Sequence, residues 1–188
     1  MSTLTVQNIQ GSSSSSNTIN VASGHKISGS ATGSIVAPGH VLQVKAVNHK
    51  GQISTTSTSH TAITDLAVTI TPSSTSSIML ITFDGFMYTS TYTRYMMMSV
   101  QRNVGGAGAV DISGTTLYTD NNADGLLRLY DQDSHVSYRN GGFQFVDSPS
   151  TTSSIVYNPT FRRGSDSATV YIGHSNMVST FSVMEIAQ

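Results

Sequence analysis

The chain has 188 residues, 10% of them charged, with a formal net charge of −1 and no cysteine. A near-neutral chain has no electrostatic reason to bind nucleic acid or an anionic membrane, and the lack of cysteine excludes disulfides, thiolate metal sites and thiol catalysis. Serine and threonine occupy 55 positions, 31 and 24 respectively. They alternate with Val, Ile, Tyr and Phe, a mixture that favours β-sheet over disorder.

Residues 1–37 contain short apolar groups, beginning with Leu4, Val6 and Ile9, but no aromatic residue. One copy of such a segment cannot bury enough apolar area to offset its ordering entropy. The segment therefore predicts a stem wound from several copies; the alternative is a disordered tail. It lacks the basic and then apolar order of a secretion signal, so we expect a protein made in the cytoplasm without one. No apolar run is long enough for membrane insertion.

Pro38-Gly39 marks the boundary to a second domain, residues 38–188. Period-two or fully apolar runs in this domain predict antiparallel strands, and Gly- and Asn-rich segments between them predict turns. No amphipathic helix pattern is present, so an all-β fold is expected, a sandwich or jelly roll. The predicted strands are 40–47, 62–70, 77–88, 93–103, 126–130, 142–147, 154–161, 168–173 and 177–186.

A proline-led sequence segment occurs twice, at Thr71–Leu80 and again at Ser148–Tyr157. Each copy is a small polar turn that runs directly into a strand-forming sequence. Pro72 and Pro149 lie 77 positions apart, which is too far for a solenoid period. We interpret the copies as matching edges of one antiparallel β-domain, and this favours a structural or binding role.

Five short segments occur in a characteristic order along the chain. They are Leu4–Gly11, Gly39–Val44, Ile70–Ser74, Asp147–Thr152 and Phe181–Ile186. Together they resemble the short fibre proteins of tailed bacteriophages, especially those of marine and cyanobacterial phages. Residues 84–140 match no pattern of that family.

The resemblance implies a homotrimer located in the virion. An intertwined N-terminal stem would attach to another virion protein, with Leu4, Val6 and Ile9 as candidate anchoring residues, and would carry a C-terminal jelly-roll or C1q-like sandwich. That head would bind a host-surface receptor, a glycan or a protein. The alternative is a virion structural protein without a receptor, such as a capsid decoration or cement protein or a tail adaptor.

A tyrosine-rich segment supplies the candidate receptor-binding residues, Tyr88, Tyr92, Arg94 and Tyr95. Tyrosine offers a large rigid contact area and a hydrogen bond at low entropic cost. These side chains equally fit a role in capping the sandwich or packing between subunits. The following Met96–Met98 predicts deformable core or subunit packing.

Asp120, Asn122 and Asp124 match the opening of a calcium-binding loop. No helices are predicted around them, Arg128 takes a ligand position, and Asn, Asp and Gly are also common hairpin residues, so we favour a turn. The six histidines are scattered, and only His25 and His40 suit a metal site on a trimer axis. We expect no metal and no cofactor.

Catalysis is not expected. A Ser-His-Asp triad cannot be recognised in so serine-rich a chain, and no Gly-x-Ser-x-Gly motif is present. A glycan-active enzyme remains a third hypothesis, but no carboxylate pair is placed to support it.

Overall fold

The computed structural model describes residues 9, 11, 13, 19, 21–25, 27, 36–91, 94–112, 125–131, 138–164 and 167–188, with Arg94 and Asp131 by backbone alone. The chain divides into two compact units, Met1–Ile35 and Val36–Gln188, and each is described by itself. In the part of the chain so described, no helix is long and apolar enough to cross a membrane.

The first unit exposes its described apolar side chains, Ile9, Ile19, Val21 and Ile27. A turn closes where the His25 backbone N–H donates to the Ala22 carbonyl at 3.0 Å. Association with other copies of the chain would bury these exposed apolar side chains. The intertwined stem stays a prediction, and Leu4 and Val6 lie outside the described residues.

The second unit contains twelve strands in its described part. They are β1 (Val41–Lys50), β2 (Ile53–Thr55), β3 (Thr61–Ala62), β4 (Val68–Ile70), β5 (Ile78–Thr89), β6 (Arg94–Val104), β7 (Ala109–Asp111), β8 (Leu127–Asp131), β9 (Arg139–Asp147), β10 (Ile155–Arg163), β11 (Val170–Ile172) and β12 (Val178–Ile186). A 3₁₀ turn, Thr64–Leu66, stands between β3 and β4.

These strands form two six-stranded sheets in the described part of the unit. Sheet A has the order β1-β12-β5-β11-β2, and β9 also pairs with β5. Sheet B has the order β3-β10-β6-β7, with β4 on β10 and β8 on β6. Every pairing is antiparallel. The predicted all-β fold of two antiparallel sheets is confirmed, and the jelly-roll topology and the trimer stay predictions.

Alternate side chains of both sheets meet in one hydrophobic core. Its largest fully buried members include Tyr157, Phe161 and Phe181. Met96 and Met98 also belong to it, while Met97 is buried outside this cluster. Two of the three methionines thus supply core packing, one of the two roles predicted for them.

The predicted strand 62–70 is wrong in one respect, because it is interrupted by the 3₁₀ turn. Ile63 and Leu66 are both buried, and residues three apart cannot share one face of a strand. The chain therefore turns between them and resumes as β4. Strands β2 and β7 were not predicted, since three residues are too few to establish a period of two.

The two copies of the proline-led segment connect strands of one sheet to strands of the other. The first joins β4 of sheet B to β5 of sheet A, and the second joins β9 of sheet A to β10 of sheet B. Because β4 pairs with β10 and β5 pairs with β9, the two passages lie together at one end of the domain. The interpretation as matching edges is wrong, since β5 and β10 are interior strands with partners on both sides.

Candidate ligand-binding face

Strand β5 contributes a row of side chains to the outer face of sheet A, the face turned away from the core. Its side chains alternate, and the residues between the outward ones are buried. The outward residues change in character along the strand, from apolar through polar to aromatic. In order they are Leu80, Thr82, Asp84, Phe86 and Tyr88.

A groove lies over the middle of this face, with a volume of about 430 Å³. That volume falls within the usual range for small-ligand sites. Asp84 stands in it beside Thr180 of β12 and opposite Gly142 of β9, both in register with it. The lining residues are Thr82, Phe83, Asp84, Gly142, Phe143, Gln144 and Thr180.

Hydrogen bonds within the sheet already occupy two of the groove's hydroxyls. Thr180 donates to the amide oxygen of Asn48 at 2.8 Å, and the hydroxyls of Thr82 and Ser182 lie 2.6 Å apart. The side chains of Asp84 and Gln144 have no hydrogen-bond partner among the described residues. These two are therefore the groups that the groove offers to a ligand.

Gly142 is required at the position opposite Asp84. A Cβ atom there would collide with the backbone carbonyl oxygen of Phe83. The pairing of β9 with β5 therefore depends on this glycine.

An aromatic cluster continues the face beyond the groove; we call it the ring cluster. Tyr88 stacks on Tyr171 with centroids 4.5 Å apart, and Phe86 stacks on Tyr138 at 5.7 Å. His174 meets Phe86, Tyr88 and Tyr138 at 6.1, 5.7 and 5.5 Å. Tyr138 is 55% exposed, so it presents an aromatic surface to solvent.

Tyr88 is the fixed centre of the ring cluster. It is buried, and the side-chain amide of Gln52 donates to its hydroxyl oxygen at 2.7 Å. Burial raises the pKa of the Tyr88 phenol, with added contributions from Tyr171 and Tyr138 that outweigh the lowering by Gln52. Tyr88 is therefore neutral at physiological pH and positions the more exposed rings around it.

At the opposite end of the same face, four apolar side chains lie side by side across four strands; we call them the apolar row. Val44 of β1 is in register with Met184 of β12, Met184 with Leu80 of β5, and Leu80 with Val146 of β9. Val44 and Val146 are each 53% exposed. A continuous exposed row of this kind is typical of a contact surface.

The two predicted receptor-binding residues whose side chains the structure describes, Tyr88 and Tyr95, lie on different sheets. Tyr88 lies on sheet A, while Tyr95 lies on β6 of sheet B. There Tyr95 stacks on Tyr130 at 4.4 Å, with the Arg128 guanidinium 4.3 Å from its ring centroid. Tyr92 and the side chain of Arg94 lie outside the described residues.

Of the predicted metal-site residues, the structure describes only His25 and His40. Asp120, Asn122 and Asp124 lie outside the described residues, and among the residues that are described no group of three metal-ligating side chains occurs. His25 is exposed. His40 accepts a hydrogen bond from the backbone N–H of Ala37 at its Nδ1, at 3.3 Å.

Sequence reasoning missed most of this face. It selected Tyr88 but not Asp84, Tyr138, Tyr171 or His174. A signal for Asp84 was present, because the period of two places it on the same side of β5 as Tyr88. The other three come from distant segments that only the pairing of β9 and β11 with β5 brings together.

Comparisons with known proteins identify no family, since no family model and no curated protein matches the sequence. Among solved structures, the chain is similar to the structure of the infectious bursal disease virus Gx strain, at 11% identity and a TM-score of 0.35. It is also similar to the crystal structure of the infectious bursal disease virus VP2 subviral particle, at 13% identity and a TM-score of 0.31. Each match covers 78% of this chain and 37% of the other. Likeness at this level does not identify a function.

Proposed function

We propose that this chain is a virion structural protein whose β-sandwich attaches the particle to a glycan on the host surface. The observation that carries the proposal is that the groove beside Asp84 and the ring cluster lie next to each other on the outer face of sheet A. The resemblance to phage fibre proteins supports the virion location.

Sugars suit a surface that combines exposed rings with polar groups. Hydroxyl groups need acceptors and donors, which Asp84 and Gln144 supply with no competing partner in the described part of the chain. The C–H faces of a pyranose are attracted to the negative face of an aromatic ring, and Tyr138 offers such a face. A shallow groove of this kind binds weakly by itself.

Weak single sites favour assembly of several copies, and we propose a homotrimer. The apolar row would pack between copies, because its four side chains are uncharged and would leave water on association. Along β5, the row at Leu80 and the rings at Phe86 are separated by about 20 Å, at 3.4 Å per residue. Subunit contact at the row would therefore leave the rings open, and with them Asp84, which lies four residues or about 14 Å from Leu80 along β5. Three such sites on one trimer would gain roughly 10² to 10⁴ in avidity.

Residues 1–37 would connect the trimer to another virion protein, with Leu4, Val6 and Ile9 as the proposed anchoring side chains. The exposure of Ile9 supports this role. A capsid decoration or cement protein, or a tail adaptor, would use the apolar row in the same way but would not need the groove. Location on the particle and glycan binding separate these functions.

The test for assembly is the mass of the full chain measured by light scattering. We expect a trimer, and Val44→Asp with Val146→Asp should shift it toward the monomer. Val110→Asp is the matched control, because Val110 is equally an exposed valine but lies on β7 of sheet B. A monomeric wild-type chain at micromolar concentration would contradict the proposed trimer.

The test for attachment combines immunogold labelling of particles with glycan-array binding. We expect label on the virion and binding that falls at least tenfold in Tyr138→Ala. Tyr95→Ala serves as the control on sheet B and should bind normally. Label on the particle without any glycan binding would favour the decoration or adaptor role.

A further inference from the structure

We infer that the groove beside Asp84 takes a neutral saccharide and discriminates against acidic ones. This inference rests on the proposed function, since it names the class of glycan that the same site would bind. It depends on the charge of the groove, on the partners already used within it and on the spacing of the rings.

The charge of the groove is negative and uncompensated. Asp84 is exposed, and its carboxylate makes no ion pair with any described residue. The other lining side chains, those of Thr82, Gln144 and Thr180 among them, are neutral. A uronate or sialate bound here would place its carboxylate near that of Asp84, and no cationic side chain among the described lining residues would offset the repulsion.

The hydrogen-bonding capacity of the groove suits hydroxyl groups. An ionised carboxylate only accepts, so Asp84 needs donors, and neighbouring sugar hydroxyls supply two of them. Gln144 both donates and accepts. Gly142, opposite Asp84, also lines the groove and adds no side chain to it.

The ring cluster begins about one sugar length from Asp84, measured along β5. Phe86 follows Asp84 by two residues on the same face, a distance of about 7 Å along the strand, and Tyr138 stacks on Phe86. A saccharide of two or three units would therefore bond to Asp84 with one unit and lie on Tyr138 with another. Neutral pyranoses present the C–H faces that such stacking uses.

The test measures binding of the full chain to four polysaccharides by biolayer interferometry. Dextran and mannan are the neutral probes, and alginate and polysialic acid are the acidic ones. We expect at least one neutral probe to bind at least tenfold more tightly than either acidic probe. Affinity for the neutral probe should persist when the salt concentration is raised, because a neutral ligand makes no ion pair with the protein. The preference over the acidic probes should shrink, because salt screens the repulsion between carboxylates.

Asp84→Asn is the decisive variant, because it keeps the shape of the side chain and removes the charge. Affinity for the neutral probe should fall about tenfold, the loss expected when hydrogen bonds lose a charged acceptor, and discrimination against the acidic probes should shrink. Asp65→Asn is the matched control: Asp65 is 60% exposed and lies on the 3₁₀ turn, outside the groove. This control should bind as the wild type does.

Tighter binding of an acidic probe would overturn the inference and leave glycan attachment intact. Unchanged affinity for the neutral probe in Asp84→Asn would also overturn it. Failure of all four probes to bind would count against both the inference and the proposed attachment function. Equal thermal unfolding of Asp84→Asn and wild type would show that a binding loss is not a folding loss.

Discussion

Ser73 donates two hydrogen bonds to one oxygen of Glu185, from its backbone N–H at 2.7 Å and from its hydroxyl at 2.6 Å. Ser77 adds a third bond to the same oxygen at 2.7 Å, and Gln43 donates to the other oxygen at 2.6 Å. Glu185 is fully buried and is the only glutamate in the sequence. The first proline-led turn is thereby fastened to the last strand, β12.

Ser73→Ala should lower the free energy of unfolding by about 1–3 kcal/mol, because a buried carboxylate loses one of its donors. Ser76→Ala, in the same turn, is the control: its side chain is exposed and bonds only to Ser74 among the described residues. Urea unfolding of both variants measures the difference. Equal losses would show that the turn, rather than the bond to Glu185, determines the stability.

Stability should decrease as the pH falls through the acidic range. Burial raises the pKa of Glu185, but hydrogen bonds from Ser73, Gln43 and Ser77 outweigh it and lower the pKa below its ordinary value near 4.5. The unfolded chain therefore binds a proton more readily than the folded one. The stabilisation is complete above the ordinary pKa and is lost as the pH falls toward the lowered one.

Thermal unfolding between pH 7 and pH 3 measures this dependence. In Glu185→Gln, which cannot titrate, the part of the slope due to this group should disappear, although the variant is less stable at pH 7. The other carboxylates remain and serve as the internal reference. An unchanged slope in Glu185→Gln would contradict the assignment.

Tyr157→Phe should destabilise the domain by about 1–3 kcal/mol. The Tyr157 hydroxyl donates to Asp147 at 2.7 Å inside the core, and Arg102 donates to both oxygens of the same carboxylate at 2.7 and 2.9 Å. Burial, and then the bond to Asp147, raises the pKa of Tyr157 far above its ordinary range, so this tyrosine remains a donor at any working pH. Tyr138→Phe, at an exposed position, is the control, and chemical denaturation should leave it near the wild type.

Gly85→Ala should cost about 1–3 kcal/mol through overpacking. A Cβ at Gly85 would lie 2.6 Å from Cζ of Phe83 and 2.7 Å from the hydroxyl oxygen of Ser179. That hydroxyl is buried without a hydrogen-bond partner among the described residues, so Ser179→Ala by itself should be neutral or stabilising. In a double-mutant cycle, Gly85→Ala should cost less when Ser179 is already alanine; purely additive losses would contradict the shared contact.

The sequence predicts strands well where the chain alternates for eight or more residues, as in β5 and β12. It fails at Ile63–Leu66, where two core residues three apart force a turn, and at β2, which is too short to show a period. The repeated proline-led segment correctly indicates an antiparallel domain. The position of its two copies between the sheets depends on the pairing of β4 with β10 and of β5 with β9. Such pairings join residues far apart in the chain, and local patterns do not specify them.

The candidate site, like the fold, could be predicted from the sequence only in part. Tyr88 stands out in the sequence because tyrosines crowd around it, yet the next tyrosine described, Tyr95, belongs to the opposite sheet. Asp84 and Tyr138 carry no motif of their own. Their role emerges only when sheet pairing aligns β5 with β9, and so composition could indicate a binding surface without locating it.

The β-domain begins and closes at a single corner, because the backbone N–H of Gly39 donates to the Ala187 carbonyl and that of Ala187 donates to the His40 carbonyl. This corner adjoins the pairing of Val41 with Ile186, far along the sheet from Phe86 and Tyr88. Both ends of this domain thus lie at the pole of sheet A opposite to the ring cluster. Affinity tags or reporter fusions placed at Gln188 would leave the aromatic pole unobstructed.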